Sequence, residues 1–364
     1  MASIQVKNGD TSMQTKFKRK LVLSLSITFL SIIILIILIT IGQQPKLYTE
    51  LIINTQNNVD LSDISLFYTD VDYNNIKSYY LTPTGLNQHK TNYVPYSEGF
   101  IEENIFETYK NLFEASGMPL TSSFQTYYET DDFVFFAFPG DLSSFRVLEK
   151  STGKIYPLKF SSDTYIAPMY VSHMVVVDNK LIILAGEARN YHGLVYVIDL
   201  ATQEVSHSKR LKTHPSALDT THYTLTSDGK AIWIAGETLQ VYDPLKDEEA
   251  TYPMPYTLTG VTSDEEIIWA YSMIDGQLKG VLLNTHSLSS ISPTSIALTL
   301  PTTTCKLVDL NLQGSTLAIA LYDPMTSHFK QYIALYDLST HTMTYCLGIG
   351  DTSPLILADI NFTD

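Results

Sequence analysis

LVYVID, at residues 194–199, is the clearest copy of a unit that recurs along this chain, and the turn residues LATQE follow it. The unit is a short apolar strand that ends at an acidic or amide residue and leads into a polar turn. Asp and Asn suit that position because their side chains cap the turn backbone locally. The other copies lie at 145–149, 239–243, 281–284 and 333–337, and successive copies along the chain end 41 to 53 residues apart.

Further apolar strands surround each copy of the unit. A strand precedes it at 133–138, 181–185, 231–235, 267–271 and 317–321. Another comes before that one, as at 170–177 and 307–312, and a fourth follows the turn, as at 154–160. Four antiparallel strands in each period of this length are typical of propeller blades. A β-sandwich has similar strand spacing but lacks the four-strand period. We therefore predict an all-β chain folded as a β-propeller.

Both ends of the chain contribute to the predicted blade count. Residues 76–81 and the turn after them match the unit and add a sixth copy upstream. Apolar residues at helical spacing predict an inserted helix over about 98–116. LADINF at 357–362 repeats LVDLNL at 307–312, so we expect a C-terminal strand to complete the first blade and remove its open edge. Six blades are predicted, or seven if residues 47–56 form a separate unit.

Two blade segments resemble known repeat sequences. IWIAGETLQVYDP at 232–244 and LVYVIDLATQEV at 194–205 are similar to blades of bacterial extracytoplasmic propellers of the quinoprotein-like, YVTN and sensor-associated types. The resemblance covers about residues 120–348 and implies the fold. Trp233 and Trp269 occupy equivalent second-strand positions, but the tryptophan pattern of quinoproteins is not repeated in the other blades. The subfamily and the function therefore stay open.

The N-terminal region predicts a membrane anchor. LVLSLSITFLSIIILIILITI, at 21–41, carries no charge, and a helix of this length reaches about 31 Å, the thickness of a bilayer's hydrocarbon core. The tail at 1–20 is basic, so it should stay in the cytoplasm. A short linker at 42–46 then leads to an extracytoplasmic domain at 47–364. A cleavable signal peptide is the main alternative, but its apolar core is usually shorter, at about 7–15 residues.

Charge and cysteine content limit the partners. The formal net charge is −15 at pH 7, and the basic tail makes the remainder more acidic still. Such a surface does not suit nucleic acid, which needs a basic footprint. The two cysteines, Cys305 and Cys346, are predicted to lie on opposite edge strands of one blade, too far apart for a disulfide. We expect two free, mostly buried thiols.

Candidate chemistry is sparse, and no cofactor motif stands out. Asp70, Asp72 and Asn74 form a weak calcium candidate that lacks the glycine and glutamate of a full loop, so an acidic turn fits better. Glu187 and Glu237 follow equivalent glycines and could serve glycoside chemistry as a pair, although their recurrence favours a structural turn. A weaker zinc candidate, without recognised spacing, consists of His214, Asp219 and His222.

Tyrosines crowd the region of the inserted helix and mark the predicted partner surface. Exposed tyrosines bury much area at low entropic cost, whereas tyrosines in strand cores are the alternative. We predict a membrane-anchored module that binds another membrane or envelope protein, or a glycan. A propeller hydrolase or lyase and a ligand-sensing domain are the alternatives; an enzyme should bring titratable groups together at the central channel. The surface residues are Tyr79, Tyr80, Tyr93, Tyr96, Tyr127 and Tyr128.

Overall fold

The computed structural model describes most of the chain beyond residue 47. The described residues are 48–55, 60–69, 76–96, 99–117, 126–138, 140, 142–160, 164, 169–187, 192–211, 222–264, 267–285, 295–325, 330–350 and 356–362. The basic tail, the apolar run at 21–41 and the linker all lie outside these ranges. Within them, no helix has the length and apolar character needed to cross a membrane. The anchor therefore stays a prediction from the sequence.

The described residues form strands almost throughout, with a single α-helix, α1 (Glu103–Ala115). The first strands are β1 (Tyr48–Asn54), β2 (Ile64–Thr69), β3 (Ile76–Thr82), β4 (Gly85–Gln88), β5 (Tyr93–Tyr96), β6 (Gly99–Glu102), β7 (Thr126–Glu129), β8 (Phe133–Ala137), β9 (Arg146–Glu149) and β10 (Lys154–Pro157). The central strands are β11 (Met169–Val177), β12 (Lys180–Glu187), β13 (Gly193–Asp199), β14 (Glu204–Arg210), β15 (Tyr223–Leu225), β16 (Ala231–Ala235), β17 (Thr238–Asp243) and β18 (Glu248–Pro253). The last strands are β19 (Gly260–Ser263), β20 (Ile267–Ile274), β21 (Gln277–Asn284), β22 (Ser295–Leu298), β23 (Lys306–Gln313), β24 (Thr316–Tyr322), β25 (Gln331–Asp337), β26 (Thr342–Gly350) and β27 (Ile356–Phe362).

These strands build the predicted six-bladed propeller. Each blade has four antiparallel strands, and blade 6 has a fifth. Within the described residues the four strands of each blade are, from inner to outer, β27-β2-β3-β4, β7 to β10, β11 to β14, β15 to β18, β19 to β22 and β23 to β26. We number them blades 1 to 6 in that order. The recurring unit forms the third strand of its blade in every case, as the sequence predicted.

The landmark aspartates cap the turns that follow the third strands. The Asp199 carboxylate accepts hydrogen bonds from the backbone N–H groups of the next turn at 2.9 and 3.1 Å, and Asp243 does the same at 3.0 and 3.2 Å. Asp337 accepts one from the backbone of Ser339 at 2.8 Å. The acidic residue recurs because it satisfies backbone donors that the strand leaves unpaired.

Strands from both ends of the described chain close the ring. β27 pairs antiparallel with β2 and supplies the innermost strand of blade 1, which confirms the predicted closure. β1 pairs antiparallel with β26 and becomes a fifth, outer strand of blade 6. The seven-blade alternative is therefore wrong, because residues 48–54 extend an existing sheet and have no sheet of their own. Both ends cover strand edges that would otherwise be exposed.

An insert between blades 1 and 2 replaces the longer helix predicted over 98–116. Its first part is a hairpin of β5 and β6, and Phe100 on β6 stacks on Phe67 of blade 1 with centroids 4.8 Å apart. Its second part is α1, whose Tyr109 and Phe113 each lie 5.1 Å from Phe136 of blade 2. Residues 99–102 are strand because Phe100 and Ile101 alternate between two apolar surfaces, a period that a helix cannot provide. The insert thus joins the facing sides of two blades.

The blade faces pack against one another throughout the rest of the ring. Second strands such as β12 and β24 are almost completely buried, which explains their continuous apolar sequence. Trp269 is fully buried in the cluster shared by blades 5 and 6. Cys305 and Cys346 lie in that same cluster, and both are free and buried, as predicted.

Candidate functional site in the central channel

A polar cavity of about 350 Å³ lies where the inner strands of blades 3 to 6 meet. Strand residues that face the channel provide its walls, so its shape follows directly from the ring. Hydroxyl, amide, carboxyl and imidazole groups alternate there with aliphatic and tyrosine side chains. The lining residues are Ser172, His173, Tyr223, Thr224, Leu225, Val261, Thr262, Ser263, Tyr271, Leu307, Val308, Asp309, Leu310 and Asn311.

Three inner strands each contain a β-bulge near the channel, and a titratable residue directly follows each bulge. The register shifts between Val171 and His173 in β11, between Leu307 and Asp309 in β23, and between Leu357 and Asp359 in β27. A bulge re-aims the side chains around it and is common next to functional sites. His173, Asp309 and Asp359 thus hold one equivalent position on three blades.

Asp309 and Asp359 form a hydrogen-bonded carboxyl pair between blades 6 and 1. The Ile360 backbone N–H donates to Asp309 Oδ2 at 3.0 Å, and the Asn361 amide donates to Asp359 Oδ2 at 2.6 Å. One residue pair further on, Asn311 Nδ2 donates to Asn361 Oδ1 at 2.8 Å. The repeated Asp-x-Asn sequence on two neighbouring strands therefore produces a continuous polar ladder.

Burial raises the pKa of both carboxyl groups and, with the repulsion between their charges, favours a shared proton. Burial, together with the negative charge of Asp309, raises the pKa of Asp359 to about 8. Burial also raises the pKa of Asp309, although hydrogen bonds from Asp359 and the backbone partly offset this. Two buried carboxyl groups in contact cannot both ionise readily, because each charge opposes the other. The pair therefore carries one negative charge and one proton.

Two further polar groups of the cavity lack partners. Protein atoms surround the His173 ring, and this burial lowers its pKa to about 4, so the ring is neutral at physiological pH. Its Nδ1 has no hydrogen-bond partner in the described ranges, and neither does the buried hydroxyl of Tyr223. Burial raises the pKa of Tyr223 to about 12. Buried polar groups without partners are costly, and both of these atoms are almost completely shielded from solvent.

Most predicted metal and acid candidates lie outside this site. Asp70, Asp72, Asn74, His214 and Asp219 fall outside the described residues. Among the residues that are described, no cluster of three or more His, Cys, Asp or Glu side chains is placed to hold a metal ion. His222 is partly buried and directly precedes β15.

The two equivalent glutamates have different environments. Glu187 is the buried last residue of β12, and its Oε2 lies 2.9 Å from the Arg210 guanidinium. Glu237 is exposed in the tight turn between β16 and β17. The first is held by an ion pair within blade 3, whereas the second is a turn residue.

The predicted tyrosine surface is distributed over several internal contacts. Tyr79 packs edge-on against Tyr68 at 5.6 Å, Tyr80 lies 5.0 Å from the His89 ring, and Tyr93 lies 5.0 Å from Phe67. Tyr127 and Tyr128 are adjacent on β7, so their side chains point to opposite faces of blade 2. Tyr127 packs near the insert and Tyr128 on the side of blade 3. The described tyrosine rings are all partly buried, and Tyr96 is the last residue of β5. Their use as a partner surface stays a prediction.

The channel site was visible in the sequence only as a repeat. LVDLNL and LADINF were used to predict ring closure, and the same repeat places Asp309 beside Asp359. The available signal was an aspartate at the same position of both repeats, which form strands that become neighbours in the closed ring. No such signal marked His173, because Val171-Ser172-His173 lacks the Asp-x-Asn repeat. It shares only the β-bulge with the other two strands, and the bulge is seen only in the structure.

Comparisons with known proteins identify no family. The chain matches no family model and no curated protein. Among solved structures it is similar to the extracellular domain of the hybrid two component system BT4673 from B. thetaiotaomicron, with 10% identity, a TM-score of 0.45, and coverage of 87% of this chain and 43% of that one. Dihydro-heme d1 dehydrogenase NirN is 9% identical with a TM-score of 0.42, and the match covers 85% of this chain and 77% of that one. Hydrazine synthase from Kuenenia stuttgartiensis is 13% identical with a TM-score of 0.36, and the match covers 58% of this chain and 65% of that one. The chain thus spans about two thirds or less of the length of several matched structures. At these identities and TM-scores the similarities carry no argument about activity or family.

Proposed function

We propose that this protein is a membrane-anchored, extracytoplasmic recognition module that binds a small polar ligand in the central channel of its propeller. The observation that supports this most strongly is that Asp309 and His173 line one channel cavity and that Asp359 is hydrogen-bonded to Asp309. Small-molecule sites are concave and largely pre-formed, and a few placed polar groups give them their specificity.

The scaffold suits such a site. The polar groups stand on inner strands of a ring that is closed by β27, so they are held in place without a ligand. Thr224 and Ser263, on neighbouring blades, are joined by a 2.6 Å hydrogen bond that fixes the opposite wall. Sites on strands are more precisely positioned than sites on loops, and a pre-organised site loses less entropy on binding.

Location and partners are part of the proposal and rest on the sequence. The apolar run at 21–41 and the basic tail would tether the propeller outside the cell, close to the membrane. Ligand binding there would suit a sensing role, with the signal passed to another membrane or envelope protein. The tyrosines near the insert are our proposed contact surface for that protein or for a glycan.

A second candidate function is hydrolysis or elimination at the same channel. The shared proton of Asp309 and Asp359 favours it, because paired carboxyl groups with separated protonation states can act as general acid and base. Titratable groups at the channel are also what we expected of a propeller enzyme. Turnover decides between the two functions.

The test uses the full-length protein in detergent and a panel of small polar metabolites and oligosaccharides. Binding is read from thermal unfolding, and turnover from mass spectrometry of the mixture. Asp309→Asn replaces one carboxyl group of the pair, and Asp178→Asn makes the same substitution in an exposed turn as a control. A ligand present at a hundred times its Kd stabilises by about 2.7 kcal/mol.

We expect at least one compound to raise the melting temperature of the wild type and the control by several degrees, but not that of Asp309→Asn. Equal shifts in all three proteins, or no shift with any compound, would contradict channel binding. A product that the wild type forms and Asp309→Asn does not form would instead support the enzymatic function.

A further inference from the structure

We infer that the ligand of this channel is a small organic cation with a primary ammonium group, and that the ammonium takes the place of the proton shared by Asp309 and Asp359. This inference rests on the proposed function and names the chemical class of the ligand.

The charge of the cavity favours a cation. The described lining residues include neither Lys nor Arg, and Lys306, the nearest lysine along β23, is exposed at the start of that strand. His173 is neutral at physiological pH because burial lowers its pKa to about 4. The carboxyl pair is therefore the source of net charge among the lining and paired groups, and it attracts positive ligands and disfavours anions.

The hydrogen-bonding groups favour an ammonium in particular. An alkylammonium has three donors and no acceptor. Asp309 presents a carboxylate to the cavity, and Asn311 adds a further polar side chain on the same strand. Charge-assisted hydrogen bonds between an ammonium and a carboxylate are about twice as strong as neutral ones.

The size and the aromatic lining favour an organic cation over a bare metal ion. About 350 Å³ is near the lower end of small-molecule pockets and would be mostly empty around a single ion. Tyr223 and Tyr271 are among the lining residues, and aromatic rings attract ammonium groups that approach their faces. In the described part of the chain no cluster of carboxylates, imidazoles and thiols is suited to a metal.

Replacement of the proton balances in atoms and charge. The Asp359 carboxylic acid loses its proton to solvent, and the ammonium keeps its own protons and donates them to both carboxylates. The repulsion that opposes full ionisation of the pair is then offset by the positive charge between the two groups. One proton is released for each cation bound.

Few other groups can titrate in this reaction. The titratable groups that line or adjoin the cavity in the described residues are His173 on β11, Tyr223 on β15, Tyr271 on β20 and the carboxyl pair on β23 and β27. His222 and Lys306 stand next to lining residues in sequence. Burial moves the pKa of His173 and that of Tyr223 out of the range between pH 6 and 8. A pH effect in this range that Asp359→Asn abolishes is assigned to the carboxyl pair.

The test compares 4-amino-1-butanol with 1,4-butanediol, which differ only in an ammonium and a hydroxyl group. Binding to the full-length protein in detergent is measured by saturation-transfer NMR titration between pH 6 and 9. Asp359→Asn serves as a permanent mimic of the protonated pair, because its amide can donate to Asp309 but cannot release a proton. Asp178→Asn is the matched surface control.

We expect the amino alcohol to bind at least tenfold more tightly than the diol at pH 8. Its affinity should rise about tenfold per pH unit from 6 to 7 and level off above 8, since one proton is released below the pKa of the pair. Asp359→Asn should bind weakly and without this slope, and Asp178→Asn should behave as the wild type does.

The outcomes separate the two proposals. Equal binding of both compounds, or a slope that persists in Asp359→Asn, would overturn the ammonium inference while a channel site remained. Binding of only neutral or anionic members of the metabolite panel would overturn it in the same way. No binding of any compound would remove the proposed function itself.

Discussion

Replacement of Asp359 by Asn should stabilise the folded protein at neutral and alkaline pH. In the native state Asp359 keeps its proton up to a pH of about 8, because burial and the neighbouring carboxylate raise its pKa. In the unfolded chain the same side chain ionises near pH 4. Asn has a similar shape and can still donate a hydrogen bond to Asp309. Because it is neutral in both the folded and the unfolded state, it does not have to take up a proton when the protein folds.

The sign and size of the effect follow from proton linkage. Between about pH 4 and 8 the native state binds one proton more than the unfolded state, so stability falls as the pH rises through this window. Each unit of difference in the pKa of Asp359 between the folded and unfolded states is worth about 1.4 kcal/mol of stability. At pH 7.5 the rise from about 4 to about 8 therefore costs the folded state at most about 5 kcal/mol. Channel water and local relaxation reduce the effective shift, since buried sites behave as if the dielectric constant were about 20. We expect Asp359→Asn to gain about 1 to 3 kcal/mol at pH 7.5 and nothing at pH 4.

Intrinsic fluorescence of Trp233 and Trp269, the chain's two tryptophans, can report the unfolding. Both side chains are buried in second strands, so heating should change their emission. Melting temperatures of the full-length wild type and of Asp359→Asn are compared at steps from pH 4 to 8.5, with Asp178→Asn as a control. A difference that grows with pH supports the shared proton. A pH-independent difference, or a loss of stability at pH 8, would refute it.

Three further predictions follow from packing and burial. His173→Gln should remove a loss of stability that the wild type shows as the pH falls from about 6.5 to 4, because the native imidazole resists protonation; pH-dependent melting checks this. Gly280→Ala should lower stability by about 1 to 3 kcal/mol in denaturant unfolding, because the new Cβ would lie 2.0 Å from the Trp269 ring; an unchanged midpoint would contradict it. Tyr345→Phe should cost about 1 kcal/mol in the same assay, because its hydroxyl donates to the Thr82 carbonyl at 3.0 Å and joins blade 6 to blade 1. If that joint is unimportant, the variant will unfold as the wild type does.

The choice between recognition and catalysis depends on what the carboxyl pair does with its proton. A binding site for a cation needs only that the proton leave, whereas an acid–base catalyst must return it in each turnover. The lining hydroxyls and the neutral His173 are compatible with either role. The pH dependence of binding therefore tests whether the proton is released, and the search for turnover tests whether it is also returned.

The sequence alone determined the architecture of the propeller. The period of 41 to 53 residues, the order of strands within it and the capping aspartates are local features, and local features can be read without knowing which strands become neighbours. Ring closure was predictable too, because LADINF repeats an inner-strand sequence. Free, buried cysteines followed from the same assignment of strands.

Only the tertiary structure decided the site and the role of the insert. Asp309 and Asp359 are 50 residues apart in sequence and come into contact because the ring brings the last blade against the first. Burial raises the pKa of both carboxyl groups, and the charge of Asp309 raises the pKa of Asp359 further; neither effect is encoded near either residue in the sequence. β6 was read as the start of the helix because its pairing partner β5 and the two apolar surfaces that it contacts are supplied by the fold. Local periodicity specifies strands and turns, whereas the juxtaposition of charged groups depends on how the blades close.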